Sequence, residues 1–283
     1  MPRQLVLLAI GAALAVLVVY LIVVRTRWGQ ELDERALLGR DVISDLRAAQ
    51  ADRFLRIVSV GTLAIATALV AGVAFLRGRP RMALIAAGSI GLAVLCTEVL
   101  KLVVLERPTL VSTFLNHGDN SYPSGHTTVG MSVCIAAMLV VPVRLRTPTA
   151  LATGAIGAAF GIAVVVAAWH RPSDAVGAYL VCLSVGAVAA IAIRRWPDRV
   201  APHRPREIVR GPIRIGATEL ALLGLAGALV CVFGIAALSS RGIPLFSLQA
   251  GFLVSCAVLV LVAFVCAALL AAAMTSADSD VRA

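Results

Sequence analysis

The run LVLLAIGAALAVLVVYLIVV, residues 5–24, holds twenty residues without one charged side chain. At about 1.5 Å of rise per residue, a helix of that length spans the roughly 30 Å of a hydrocarbon layer, where every backbone N–H and C=O must bond within the helix itself. Arg25 and Arg27 follow with no small-x-small cleavage pattern, so the run is expected to be kept as a span rather than removed as a signal. Seven more apolar runs repeat the reading, at 55–76, 82–104, 126–143, 149–169, 175–193, 219–238 and 249–274. The composition agrees, with 60% of the 283 residues apolar, 14% charged and a mean hydropathy of +0.96. The expected fold is all-α, a polytopic bundle of about eight transmembrane helices, and a water-soluble globule is excluded.

The formal charge of +10 points to orientation in a membrane rather than to nucleic acid, because the arginines are spread through the loops between spans. Placing the amino terminus on one side gathers fourteen Lys and Arg residues there against eleven on the other, and seven of the eleven lie in the acid-rich stretch at 25–56. The first side is therefore expected to be cytoplasmic at the plasma membrane, with the loops at 105–125 and 170–174 facing outward. Residues 1–193 form a six-span core in this reading. Within it, 25–54 is a mixed-charge surface helix outside the cytoplasm. Residues 194–215, with four prolines among seven arginines, read as a basic cytoplasmic linker, 216–274 as two additional transmembrane helices and 275–283 as a short polar tail. The six cysteines all fall inside apolar runs and read as small core residues.

Ionisable groups at a membrane edge are costly to place, so three polar clusters at outward span ends are functional candidates. The first is Lys101, the only lysine of the chain, one turn after Glu98 and followed by Arg107-Pro108. The second is Pro123-Ser124-Gly125-His126, where a helix start offers free backbone N–H groups and the positive end of a dipole to an anion. The third is His170 with Asp174 four residues on, a spacing that lets a carboxylate hold one imidazole nitrogen while the other stays free to attack. Each has a plainer reading taken singly: a snorkelling lysine paired with Glu98, a loop with a helix cap, and a capping aspartate beside a boundary histidine.

Together, in this order, the clusters resemble the type 2 phosphatidic acid phosphatase family, membrane lipid phosphatases related to haloperoxidases. Its pattern is Lys-x6-Arg-Pro, then Pro-Ser-Gly-His, then Ser-Arg-x5-His-x3-Asp. The resemblance implies hydrolysis of a lipid phosphate or pyrophosphate, polyprenyl or phosphatidyl, with no metal or other cofactor. Membrane lipids would be its surroundings and a lipid phosphate its substrate. His170 would be the nucleophile of a phosphohistidine, Asp174 would orient it, and His126 would protonate the leaving oxygen. Lys101, Arg107, Ser124 and Gly125 would hold the phosphoryl oxygens. Transfer of the phosphoryl group to another lipid, and a non-enzymatic binding or transport relative, stay open as alternatives.

Two departures stand out. Only five residues separate Lys101 from Arg107, which on a continuous helix would rotate Lys101 by about 100° from the family position. Ala163 and Val164 occupy the Ser-Arg position, so one phosphate ligand is missing. Arg171, next to the nucleophile and extended before Pro172, is the candidate substitute, set against the alternation of side chains in an extended segment, which would turn it away toward lipid headgroups.

Overall fold

The computed structural model describes residues 3–112, 120–198 and 247–280, and all regular structure among them is helical. Helix α1 (Arg3–Val19) continues through a π-turn at Tyr20–Val24 and is followed by α2 (Arg27–Leu38), α3 (Asp45–Arg56) and α4 (Val60–Leu76). Helix α5 (Pro80–Val99) also ends in a π-turn, at Leu100–Val104, and α6 (Gly125–Val140), α7 (Arg146–Val166), α8 (Pro172–Arg195) and α9 (Leu248–Asp280) complete the described elements. Among the described residues five helical stretches are long and apolar enough to cross a membrane, and α3 with α4 make a sixth when counted as one span bent by 65°. Helix α6, at 16 residues, is a shorter apolar helix. The run at 219–238 and most of the linker at 194–215 lie outside the described residues.

The bend corrects the start of the second run. Ser59 Oγ accepts from the Thr62 N–H at 3.2 Å while Thr62 Oγ1 accepts from the Ser59 N–H at 2.9 Å. This reciprocal cap starts a fresh helix at Val60, so residues 55–59 close the preceding surface segment instead of opening the span. The mixed-charge stretch is two helices, α2 and α3, joined by a 3₁₀ turn at Gly39–Val42.

Helix α8 is the centre of the bundle, packing most extensively against α1 and also against α5, α6 and α9. Lipid tails are as apolar as leucine, so close helix contact depends on small residues that let backbones approach. On α1 a single stripe is buried, Leu5, Ala9, Ala12 and Val16, at helical spacing, while Leu7, Ile10, Leu14 and Leu17 stay exposed on the side where lipid would lie. On α8, Gly177 makes room for Tyr122. A Cβ there would sit 2.5 Å from the ring, whose hydroxyl donates to the Val16 carbonyl at 2.7 Å. Helix α9 packs on α7, α8 and α2, with Leu259, Ala263, Cys266 and Leu270 buried, so the last helix is part of the same core. The described residues of the α5–α6 connection, the α7–α8 connection and the end of α1 meet at one end of the bundle, and α2 and α3 pack there against α9 and α7.

Candidate active site

The end of α7 sets the position of the third cluster. Ala168 takes the left-handed conformation at φ 57°, its N–H donates to the Val165 carbonyl at 3.0 Å, and the Trp169 N–H reaches back to the Val164 carbonyl at 2.9 Å. These are the two bonds of a Schellman helix end, here with alanine where glycine is usual. The His170 N–H donates to the same Val164 carbonyl at 3.1 Å. Val164 is fully buried, so the position of the missing motif arginine is a core side chain whose carbonyl anchors the nucleophile candidate.

Helix α8 begins at Pro172, and Asp174 in its first turn accepts from the Arg171 N–H at 3.0 Å, capping its own helix. The same Oδ2 accepts from Ser121 Oγ at 2.7 Å and lies 3.3 Å from His170 Nδ1. The plain capping role and the imidazole contact are thus combined in one carboxylate, leaving His170 Nε2 free. His170 lines a cavity of about 570 Å³ with Lys101, Asn120, Ser121, His126, Ala168 and Trp169. A space of that size takes a small ligand or headgroup. His126 stands edge-on to Trp169, with ring centres 4.9 Å apart.

Lys101 joins this group although its spacing from Arg107 is one residue short. The helix widens into the π-turn at Leu100–Val104 and stops, and Leu105 is already extended at φ −111° and ψ 137°, so Arg107 is off the helix. Lys101 Nζ donates to Glu98 at 2.7 Å. Gly125, first residue of α6, lies close to both, because a Cβ there would be 3.1 Å from the Glu98 carboxylate, which would have to give by a few tenths of an ångström, and 3.8 Å from Lys101 Nζ. The amine is therefore beside the helix start, where the first N–H groups have no intrahelical acceptor. Ser124 is turned inward. It is fully buried, its N–H donates to the Asp174 carbonyl at 2.9 Å, and its hydroxyl accepts from the Thr127 N–H at 3.4 Å.

Arg107 and Arg171 lie behind the cavity rather than in its lining. Arg107 Nη1 donates to Asp174 Oδ1 at 3.3 Å, and Nη2 donates to Asp33 Oδ2 at 2.8 Å. Asp33 also accepts from Ser173, at 2.6 Å from Oγ and 3.2 Å from the backbone N–H. Arg171, the candidate substitute ligand, is 2% exposed, with its guanidinium 2.8 Å from Glu34. The reason is backbone alternation. Arg171 is extended (φ −85°, ψ 159°), so its side chain points away from that of His170. Burial, the largest effect, pushes the Asp33 carboxyl up to about 6; the Arg107 guanidinium and the Ser173 hydrogen bonds oppose the rise, and Asp174 adds to it. Among the described residues no group of three His, Cys, Asp or Glu side chains is arranged to hold a metal ion.

Sequence reading missed Asp33, Glu34, Gln30 and Asn120. Asn120 ties the second cluster to the α5 end, its Nδ2 donating to the carbonyls of Lys101, Leu105 and Tyr122 at 2.9–3.1 Å. Gln30 does the same for the segment after α5, donating to the Pro108 carbonyl at 2.6 Å and accepting from the Leu110 N–H at 3.1 Å. A signal for α2 was present. Gln30, Asp33 and Glu34 share one helical face with Leu37, and all are buried, while the apolar Trp28, Leu32 and Leu38 are exposed. An inverted amphipathic helix means that its polar stripe has partners inside the protein.

Residues 82–198 match the model of the PAP2 superfamily. That stretch holds Lys101, Arg107, residues 123–126, His170 and Asp174, and it leaves α2 outside. It is the match expected of a member of the type 2 phosphatidic acid phosphatase family, and the members of the superfamily are phosphatases. No curated protein and no solved structure matches the chain.

Proposed function

We propose that this PAP2-superfamily phosphatase releases phosphate from a lipid phosphate or pyrophosphate, of a polyprenyl or phosphatidyl lipid, at the outer face of the plasma membrane through a phosphohistidine. The observation that carries the reading is the meeting in one cavity of His170, braced at Nδ1 by Asp174, with His126 and Lys101. The cavity opens at span ends, and Leu102, Val103 and Val104 beside Lys101 are exposed, so a lipid tail can stay in hydrocarbon while its headgroup enters.

In the first step His170 Nε2 forms a bond to phosphorus as the bond from phosphorus to the leaving oxygen breaks, and protonated His126 gives its proton to that oxygen. Asp174 accepts the Nδ1–H bond and offsets the positive charge of the phosphorylated ring. Lys101 and the first N–H groups of α6, at Gly125 and His126, hold the equatorial oxygens, whose charge peaks in the transition state. In the second step a water oxygen bonds to phosphorus, its proton passes to His126, and the phosphorus–nitrogen bond breaks to restore neutral His170. In this reading Arg107, Ser124 and Arg171 shape the wall and do not touch phosphate.

The test is phosphate release by purified protein from polyprenyl diphosphate and from phosphatidate in ¹⁸O-labelled water. The expected wild-type product carries one ¹⁸O, His170→Ala falls to about a thousandth of wild-type turnover or less, and Asp174→Asn keeps a small residue because the nucleophile survives. Wild-type-like release by His170→Ala removes the mechanism, and unlabelled phosphate on an acceptor lipid makes the chain a transferase. Sidedness has its own measurement. A cysteine at Glu31, on the site side, is expected to react with an impermeant thiol reagent in intact cells, and one at Arg144, at the opposite end, is not; the reverse pattern puts the site in the cytoplasm.

A further inference from the structure

We propose that Asp33, delivered by α2 from outside the family-matched segment, is a positioning residue for this reaction, dividing the charge of Arg107 between itself and Asp174 so that Asp174 keeps its hold on His170. The inference rests on the phosphohistidine reading above.

The geometry is that of two carboxylates sharing one guanidinium. The shorter contact, 2.8 Å, belongs to Asp33, and the longer, 3.3 Å, to Asp174. Asp33 and Asp174 side chains are 4% and 0% exposed and that of Arg107 is 7%, so water does not screen the division. The groups facing Asp33 are Arg107 from the segment after α5, and Ser173 and Asp174 from α8. Its neighbour on α2, Glu34, is paired with Arg171. With Asp33 ionised, part of the arginine charge is drawn off and Asp174 remains the stronger acceptor for the imidazole Nδ1–H, above all when the ring becomes positive on phosphorylation. With Asp33 neutral, Asp174 is the one charged acceptor left to Arg107 among the described residues, beside the Ser121 hydroxyl at 3.3 Å, and the guanidinium competes with His170 for it. Neither Asp33 nor Arg107 lines the cavity, so the effect falls on the chemical step more than on substrate affinity.

The same arrangement gives a pH signature. The Asp33 carboxyl sits near 6, so lowering the pH through that range neutralises it and costs turnover. Ser173 donates two hydrogen bonds to Asp33, which favour the charged form. Removing the hydroxyl in Ser173→Ala raises the Asp33 value, so the loss of turnover begins at a higher pH.

The experiment measures kcat and KM from pH 5 to 8 for wild type, Asp33→Asn, Ser173→Ala, His170→Ala and the half-exposed α2 control Glu31→Gln. For Asp33→Asn at pH 7.5 the expected result is a kcat lowered by about tenfold or more with KM within about threefold, and loss of the titration near pH 6 expected of wild type. Glu31→Gln matches wild type, and Ser173→Ala shifts the acid limb upward. If His170→Ala is as active as wild type, the phosphohistidine reading falls and the inference with it. If His170→Ala is inactive while Asp33→Asn keeps its kcat within about twofold and its acid limb in place, the inference alone is overturned. Should Asp33→Asn fail to fold, an unmoved acid limb in folded Ser173→Ala overturns it equally.

Discussion

The lining of the cavity and the wall behind it are both charged, and they treat charge oppositely. In the lining, Lys101 is 18% exposed and bonded to a Glu98 that is 40% exposed. In the wall, Arg107 meets Asp33 and Asp174, and Arg171 meets Glu34, with every one of these side chains at most 7% exposed. A half-solvated pair is worth roughly 0–1 kcal/mol and gives way to a ligand, whereas breaking a buried pair strands a charge at about 3–5 kcal/mol. In the proposed reading, groups that are to meet a phosphate are thus held loosely, and groups that fix geometry are held tightly.

The largest test of that contrast is Arg171→Ala, which removes the guanidinium paired with the buried Glu34. It is expected to lower unfolding stability in detergent by about 3–5 kcal/mol, most of which the double replacement Arg171→Met with Glu34→Leu recovers. A thermal melt of Arg171→Ala equal to wild type makes the wall no tighter than the lining. Lys101→Ala is the converse case. Its turnover is expected to drop by about 10²–10³, the equivalent of about 2.7–4 kcal/mol, with the melt little changed. A large loss of stability instead would make Lys101 a structural residue.

Asp33 gives a smaller and signed effect. Its folded value, about 6, lies above the ordinary 3.8, so folding takes up a proton; its contribution to stability is present at low pH and is lost as pH rises through about 4 to 6. Wild type is therefore expected to gain stability relative to Asp33→Asn as pH is lowered from 7 to 5, measured by denaturation in parallel, while its turnover falls over the same interval. Equal pH dependence of stability in the two proteins would mean that the burial of Asp33 carries no such linkage. The smallest effect is at Ala168. Glycine there relieves the left-handed backbone, and Ala168→Gly is expected to stabilise by about 1 kcal/mol or less, with activity near wild type because the helix-end hydrogen bonds remain.

What the sequence showed of the site follows the same division. His126, His170 and Lys101 announce themselves as polar residues at apolar span ends, and the structure brings them to one cavity. Arg107 and Arg171 are as visible in the sequence, and alternation already allowed Arg171 to turn away from His170, yet the partners of both were not legible. Arg107 depends on where α5 unwinds, at the π-turn before Leu105, and Arg171 on the alternation that sends it away from His170. Asp33 looked like one acid among six between residues 31 and 52, and only the burial of its helical face separates it from Glu31 on the same helix.

By itself the sequence determined the all-α bundle of apolar helices, the end of the bundle at which polar residues collect, and the family pattern at residues 101–174. Those are local properties, because the transfer of about 20 consecutive residues into lipid decides a span regardless of what the rest of the chain does. Only the tertiary structure decided which acid answers which base. Asp33 reaches Arg107 across 74 positions and Ser173 across 140, and Glu34 reaches Arg171 across 137. Coulomb energy depends on distance and burial in the packed bundle, and neither is written in the spacing of residues along the chain.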